Sequence, residues 1–379
     1  MARKKVQVSS RLFLGQASNY RAKDVLKHTF AIGSKKCSNN LKQFLATSYH
    51  AKPENVLLMA NGRSALAQAL QTLLEPGSGV IINGFTCYAV VQAVKFAKME
   101  PIYADIDEKT LNFDEKTLEN AYKSHKNAKA IIIQNTLGIT VDIKKIEDFA
   151  KKHHLIIIED LAHCAGATYR DGRKVGSCGA AAALSFGKGK SLDAITGGAL
   201  IMNDETAKLK GQPATKHPKL SDTLRARFYP LLASIGRGFS KIHLEKYWYG
   251  PLIKLRFIER AVDAKLDYGH RLAHWQAKLV KKQLENLDKQ GFTPIRTHRF
   301  VKDRGACLAE LAKNGYNFRE VWYDVPVSPV RYYKALNFPE KACPIATEVA
   351  QKIINLPTYY PYEKLNRAIK IIEKYEEKA

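Results

Sequence analysis

The 379-residue chain contains no run of 18 or more apolar residues, so no segment of it is expected to cross a bilayer as a helix. Its basic start, MARKKVQVSS, leads into no long apolar stretch, which argues against a secretory leader and for a cytoplasmic protein. Cysteines are few: Cys37, Cys87, Cys164, Cys178, Cys307 and Cys343. None stand in a C-x-x-C pair, so neither a disulfide framework nor a metal site is expected, and free thiols in a reducing compartment fit the pattern. Internal repeats and low-complexity tracts are missing as well. Acidic residues are scarce, with 36 Asp+Glu against 61 Lys+Arg and a net charge of +25. Such a surface attracts polyanions, whether nucleic acid, anionic lipid or phosphorylated substrates; solvated lysines on a basic background account for it equally well. No helix-turn-helix, zinc-finger or RNP-type pattern is present, so sequence-specific binding of nucleic acid is not expected.

What is present is regular alternation. At this length one compact core is unfavourable and two domains are expected. From about Pro53 to Asp204, apolar runs (VLLMA, GVIING, EPIYADID, AKAIIIQN, HLIIIED, AAALSF, GGALIMN) alternate with helical patterns such as RSALAQALQTLL. Strands apolar on both faces and separated by helices predict an α/β fold with a mostly parallel sheet in a three-layer arrangement. The expected division is a large domain over 1–204, a basic, aromatic-rich connection over 205–267 and a smaller α+β domain over 268–379. Ligands of such sheets sit beyond the carboxyl ends of the strands, which directs attention to the turns there.

Three turns carry candidate chemistry. Lys190 lies in LSFGKGKSLDAITGGALI, a loop of small residues beside Lys188. A neighbouring cation would depress its pKa, as a nucleophilic amine requires, although a lysine in such a loop is also a common surface charge or phosphate contact. Asp160 ends HLIIIED, where a carboxylate at strand depth needs a cationic partner or serves as a helix cap. In MANGRSALAQAL, a strand gives way to Asn-Gly and then to Gly62, Arg63 and Ser64 at a helix start. Free N–H groups and the helix dipole there can hold an anion, and the same residues also make an ordinary strand-to-helix turn.

In their order and rough spacing these segments resemble the DegT-type (StrS-type) sugar aminotransferases, pyridoxal-phosphate (PLP) enzymes of fold type I. NGRSAL resembles the family's phosphate-cup motif, and GFTCYAVVQAVKFAKMEPIYADIDEKTLNFD its next segment. IIEDLAHCAGATYRDGRKVGSCGAAAALSFGKGKSLDAITGGALI resembles the stretch that carries the cofactor-pairing Asp and the Schiff-base Lys. NTLGITVDIKKIEDFAKKHH and CPIATEVAQKIINLP match later segments, so the resemblance covers the chain except about 205–267. It implies that Lys190 holds PLP covalently and shuttles the proton, and that Asp160 pairs with the ring nitrogen. By the same likeness Ser185, Gly62, Arg63 and Ser64 hold the phosphate and His163 touches the ring hydroxyl. Cys87 or Tyr88 covers the ring, and Arg271 matches the Arg of a motif lent by a neighbouring subunit. A lysine at 190, where dehydrating relatives usually carry His, implies amino transfer. The implied substrates are a nucleotide-linked keto-sugar and an amino-acid donor such as glutamate, for surface-polysaccharide or related glycan synthesis by a homodimer. Other PLP chemistry such as sugar dehydration, or a non-catalytic basic binding or regulatory protein, are the alternatives.

Several positions depart from the family pattern. Arg63 stands where the cup usually has Thr, and Ile195-Thr196-Gly197-Gly198 replaces G-E-G-G. Gly269 replaces an Asn, and Pro326-Val327-Ser328 replaces P-L-H. These changes bear on the sugar more than on the cofactor. In the connection, Phe228, Leu231, Leu232, Ile235, Phe239 and Ile242 fall on one helical face, with Arg225, Arg227, Arg237 and Lys241 beside it. This predicts either a helix lying on an anionic membrane through about 225–260 or an amphipathic helix packed on its own core or on a sister subunit.

Overall fold

A computed structural model describes residues 12–13, 22–204, 215–241, 244–258, 269–317, 322–358 and 362–376. All seven apolar runs form strands of one sheet. In spatial order these are Val56–Met59, Gly198–Met202, Ala181–Ser185, Ile156–Asp160, Ala128–Ile133, Gly79–Asn83 and Glu100–Ala104. Gly198–Met202 runs antiparallel to its two neighbours, and the other pairings are parallel.

The doubly apolar strands follow from helices on both faces. Along Gly79–Asn83, Val80 and Ile82 enter one hydrophobic cluster while Ile81 enters the other. Ala130 and Ile132 alternate in the same way with Ile131 and Ile133. Side chains alternate with period two, so each strand feeds both layers. Burying each such Ile or Val contributes roughly 1.5–3 kcal/mol, and these strands leave no polar face to water. Helix Lys35–Ser48 covers one side, and helices Gly62–Leu73 and Tyr88–Phe96 cover the other.

The polar motif D-I-D…T-x-N-x-D is scaffold. Asp105 accepts the N–H groups of Ile345 (3.0 Å) and Ala346 (2.9 Å), which caps helix Pro344–Lys352. The Asn112 amide donates to the carbonyls of Thr110 (2.8 Å) and Ile139 (2.9 Å), and its oxygen accepts Thr136 N–H at 2.8 Å. Asp114 begins helix Glu115–Ser124 with a capping box.

Helix His274–Gln290 was expected to open the small domain. Instead Leu272, Ala277, Val280 and Leu284 pack into the cluster under the sheet, against Leu41 and Leu45. The C-terminal unit pairs Arg296–Phe300 with Ile353–Pro357 and packs Val301, Leu311, Ile354 and Ile371 into a core of its own. A short parallel pairing, Thr86–Cys87 with Val327–Ser328, ties this unit to the sheet's ligand edge.

In the connection, helices Leu220–Lys241 and Glu245–Lys254 form a hairpin. The indole of Trp248 donates to the Leu232 carbonyl at 3.0 Å and stacks on Phe239 at 5.1 Å. The expectation that the first helix packs its large apolar face on the core does not hold. Phe228, Leu231 and Ile235 are exposed, whereas Ala226 and Ala233 are buried. The small residues allow the helix to approach its neighbours closely, and the bulky ones are left outside. Ile242 and the side chains of Arg237 and Lys241 lie outside the described residues.

Candidate active site

The strand ends meet along one edge. Asp160 and Ser185 terminate their strands, Gly198 starts the antiparallel one, and helix Gly62–Leu73 begins beside them. Contact is tight here: a Cβ on Gly198 would lie 2.6 Å from the Gly62 nitrogen, and one on Gly62 would lie 2.7 Å from Ser185 Cβ. Gly197, at φ +114°, bridges to Asn61. Glycine at these positions is therefore a steric requirement. The helix start is ordered by Asn61, whose side chain accepts Ser64 N–H at 2.8 Å. A helix N-terminus, the buried Ser64 and the Ser185 hydroxyl thus converge in a cradle suited to a phosphate. Arg63 is buried, and its guanidinium donates to Gln92 on the neighbouring helix at 2.8 Å.

Lys190 projects from the loop that joins strand Ala181–Ser185 to Gly198–Met202. Its Nζ lies 3.0 Å from His163 Nε2. Leu137, held at φ 54°, donates its N–H to His163 Nδ1 at 3.2 Å. Nδ1 is thereby the acceptor nitrogen, so Nε2 carries the ring hydrogen and faces the Lys190 amine, which accepts from it once neutral. Burial does hold the Lys190 pKa below its usual value; Cys87 and Asp160 oppose that shift, and Arg296 adds to it. His163 lies well below the ordinary histidine range, because it is buried and because Lys190 and Arg296 are near. The ring stays neutral.

Asp160 is raised above the usual carboxylate range by burial, against the opposing Ala162 N–H (3.0 Å) and the charge of Lys190. A carboxylate so placed favours a cationic partner. The adjacent Glu159 faces the other way and is fully satisfied, accepting Tyr169 Oη at 2.7 Å and the N–H groups of Gly176 (2.7 Å), Cys178 (2.8 Å) and Gly179 (2.7 Å).

Cys87 sits close enough to Lys190 to affect its charge. The Tyr88 ring instead stacks on Tyr332 at 4.3 Å and 4°. Arg271 packs its guanidinium against His217, and the neighbouring His270 carbonyl accepts Ala60 N–H at 2.9 Å, two residues before the cradle.

Five further residues carry no recognisable motif. Trp322 lies over the site, with Lys190 Nζ 5.1 Å and Arg296 Cζ 4.1 Å from its ring centroid, and it stacks on His163 at 5.3 Å. Tyr323 Oη lies 3.4 Å from His163 Nδ1. Gln276 and Gln283, two turns apart on one helix, clamp the Lys190 loop. The Gln276 amide donates to the carbonyls of Ala194 (2.9 Å) and Thr196 (3.0 Å), and Gln283 exchanges two 2.7 Å bonds with the Asp193 backbone. The seven-residue spacing was the one legible signal, since it puts both amides on one face.

PLP fits these residues without forcing. The cradle suits its phosphate, Asp160 its pyridinium, His163 Nε2–H its ring oxygen and Lys190 its aldehyde carbon. The fold and site define a PLP-dependent aminotransferase. The chain belongs to the DegT/DnrJ/EryC1/StrS aminotransferase family, whose profile matches residues 15–374. It is 36% identical to the spore coat polysaccharide biosynthesis protein SpsC of Bacillus subtilis strain 168, covering 76% of this chain and 75% of the relative. It is 32% identical to the GDP-perosamine synthase of Escherichia coli O157:H7, with 79% of each chain covered. A Streptococcus pneumoniae structure in its PMP form superposes with TM-score 0.67 at 17% identity, over 96% of this chain and 98% of the other; its PLP form gives 0.65.

Proposed function

We propose that the protein transfers an amino group from an amino acid, glutamate foremost, to a keto-sugar carried on a nucleotide, in the synthesis of a surface glycan. The observation that carries this reading is the amine of Lys190, its pKa lowered by burial, held 3.0 Å from His163 Nε2 beside the half-buried Asp160. Support for the acceptor class comes from relatives named for GDP-perosamine synthesis and for amination of a UDP-linked 3-oxo sugar. The strongly basic chain suits a diphosphate substrate, whose approach it accelerates.

Lys190 is the nucleophile and proton carrier: burial lowers its pKa toward the neutral amine that attacks a carbonyl carbon, and once released it can take a proton from one carbon and return it to another. Asp160, ionised against a protonated ring nitrogen, keeps that nitrogen charged. When bound, PLP supplies an electron sink for the carbon next to the transferred nitrogen. His163 holds the ring oxygen through Nε2–H. Gly62, Arg63, Ser64 and Ser185 form the phosphate site, Arg63 through its backbone while its side chain braces Gln92. Cys87, on the Lys190 side, would cover the ring, and Tyr88 stacks on Tyr332 of the second unit. A homodimer places the Arg271 segment, beside the cradle, against the neighbouring subunit.

The test is the visible absorption of the PLP-supplied protein before and after L-glutamate. A band near that of a lysine-linked cofactor, bleached by glutamate and lost in Lys190→Ala, is expected. A band unchanged by glutamate means another donor or another PLP reaction, and no band at all refutes the cofactor site.

A further inference from the structure

Helix Leu220–Lys241 is inverted relative to an ordinary surface helix. At 100° per residue, Leu220, Leu224, Phe228, Leu231 and Ile235 fall within an arc of about 80°. Leu224 is 43%, Phe228 44% and Leu231 40% exposed. On the opposite side Ala226 is 4% and Ala233 5% exposed, and Gly236 is so close to the next helix that a Cβ would meet the Tyr249 hydroxyl at 2.3 Å. Tyr229 faces inward too, under the Lys188 ammonium at 4.3 Å, so the inner side of the helix rests on the loop of Lys190. The second helix of the hairpin also ends in exposed apolar side chains: Ile253, Leu255 and Phe257. A contiguous outward stripe of large apolar residues on a helix that buries its alanines is a surface made to be covered.

The charge around it selects the occupant. Residues 215–258 contain nine Lys or Arg and two acidic residues, Asp222 and Glu245. Lys216, Lys219, Lys254 and Arg256 are exposed. A second copy docked on this face would oppose like charges, which disfavours self-association. An anionic lipid surface satisfies both features: the stripe enters the boundary between headgroups and acyl chains while the basic side chains stay among the phosphates. Among the described residues no helix is long and apolar enough to cross the membrane, so contact of this kind is peripheral.

We propose that the hairpin of helices Leu220–Lys241 and Glu245–Lys254 docks the enzyme on an anionic membrane surface, with Leu224, Phe228 and Leu231 inserted. Docking there brings the enzyme to where lipid-carried glycans are assembled.

The PLP-supplied full chain is floated with vesicles of phosphatidylcholine alone or with about one-third phosphatidylglycerol. Binding to the anionic vesicles only, falling with salt, is expected. Leu224→Ser/Phe228→Ser/Leu231→Ser should abolish it. Lys219→Ser/Lys254→Ser/Arg256→Ser should weaken it roughly 100-fold, from about a fivefold contribution per basic residue at the surface. Circular dichroism and the cofactor absorption band confirm that each variant is folded. Three results overturn the proposal: no binding to either vesicle, anionic binding that survives loss of the apolar stripe, or a smaller oligomer when the stripe is replaced. The last would make the face an interface between copies. None of these readings depends on the sugar or the donor.

Discussion

Replacing Gln276 with Met should free the Lys190 loop while leaving the sheet intact. Methionine keeps the approximate shape of the side chain and removes its donors. The wild-type amide satisfies the carbonyl of the fully buried Ala194 and that of Thr196, whose residue is exposed. Only the first is left without water, at a cost of about 1–3 kcal/mol; the second can rehydrate, losing about 0.5–1.5 kcal/mol. Together these lower the local opening energy of the loop by about 2–4 kcal/mol, or roughly 30- to 1,000-fold in its open population. The assay is amide hydrogen exchange of residues 187–198, followed against Ile131 and Ile158 in the central strands as internal standards. Faster loop exchange with unchanged strand exchange is expected, together with a slower return of the lysine-linked absorption band after PLP addition. The reasoning fails if loop exchange is unaltered, or if loop and strands accelerate together, because Gln276 would then support the core rather than the loop.

Three further outcomes follow from the site. Asp160→Asn should stabilise the apoprotein at neutral pH. The carboxyl pKa is raised by burial, so the native state binds its proton more tightly than the unfolded chain and wild-type stability falls as pH rises through that window. Thermal melts of the two apoproteins should differ at pH 7 and converge in acid, while the loaded variant loses amino transfer. Gly62→Ala should weaken PLP binding roughly 10- to 100-fold, because the new Cβ meets Ser185 Cβ at 2.7 Å and pushes the cradle open at about 1–3 kcal/mol. A fluorescence titration with PLP reads this directly, and an unchanged Kd would place the phosphate elsewhere. Lys190→Ala should abolish the glutamate-sensitive band and amino transfer together, as measured by absorption and by pyridoxamine formation.

Much of the architecture was readable in the sequence because its signals are local. Seven apolar runs became seven strands of one sheet, since residues buried on both faces must be apolar at every position. Lys190, Asp160 and the Gly62–Ser64 turn were located by their place at strand ends, Ser185 by the family resemblance, and the fold brings those ends to one edge. The sequence could not separate Cys87 from Tyr88. Their neighbours come from Val327–Ser328 and Tyr332, more than 200 residues away, and only the folded chain sets Tyr88 against Tyr332. Arg296 and Trp322 were invisible for the same reason: each reads as an ordinary residue, and both reach Lys190 only through the packing of the second unit. Helix Leu220–Lys241 shows the limit most plainly. Its periodicity revealed an apolar face but not the direction that face takes. Alternation and spacing thus fixed the elements and the order of the chemistry, whereas tertiary packing decided which neighbours tune Lys190 and which side of an amphipathic helix meets the outside, because both depend on contacts between residues distant in the chain.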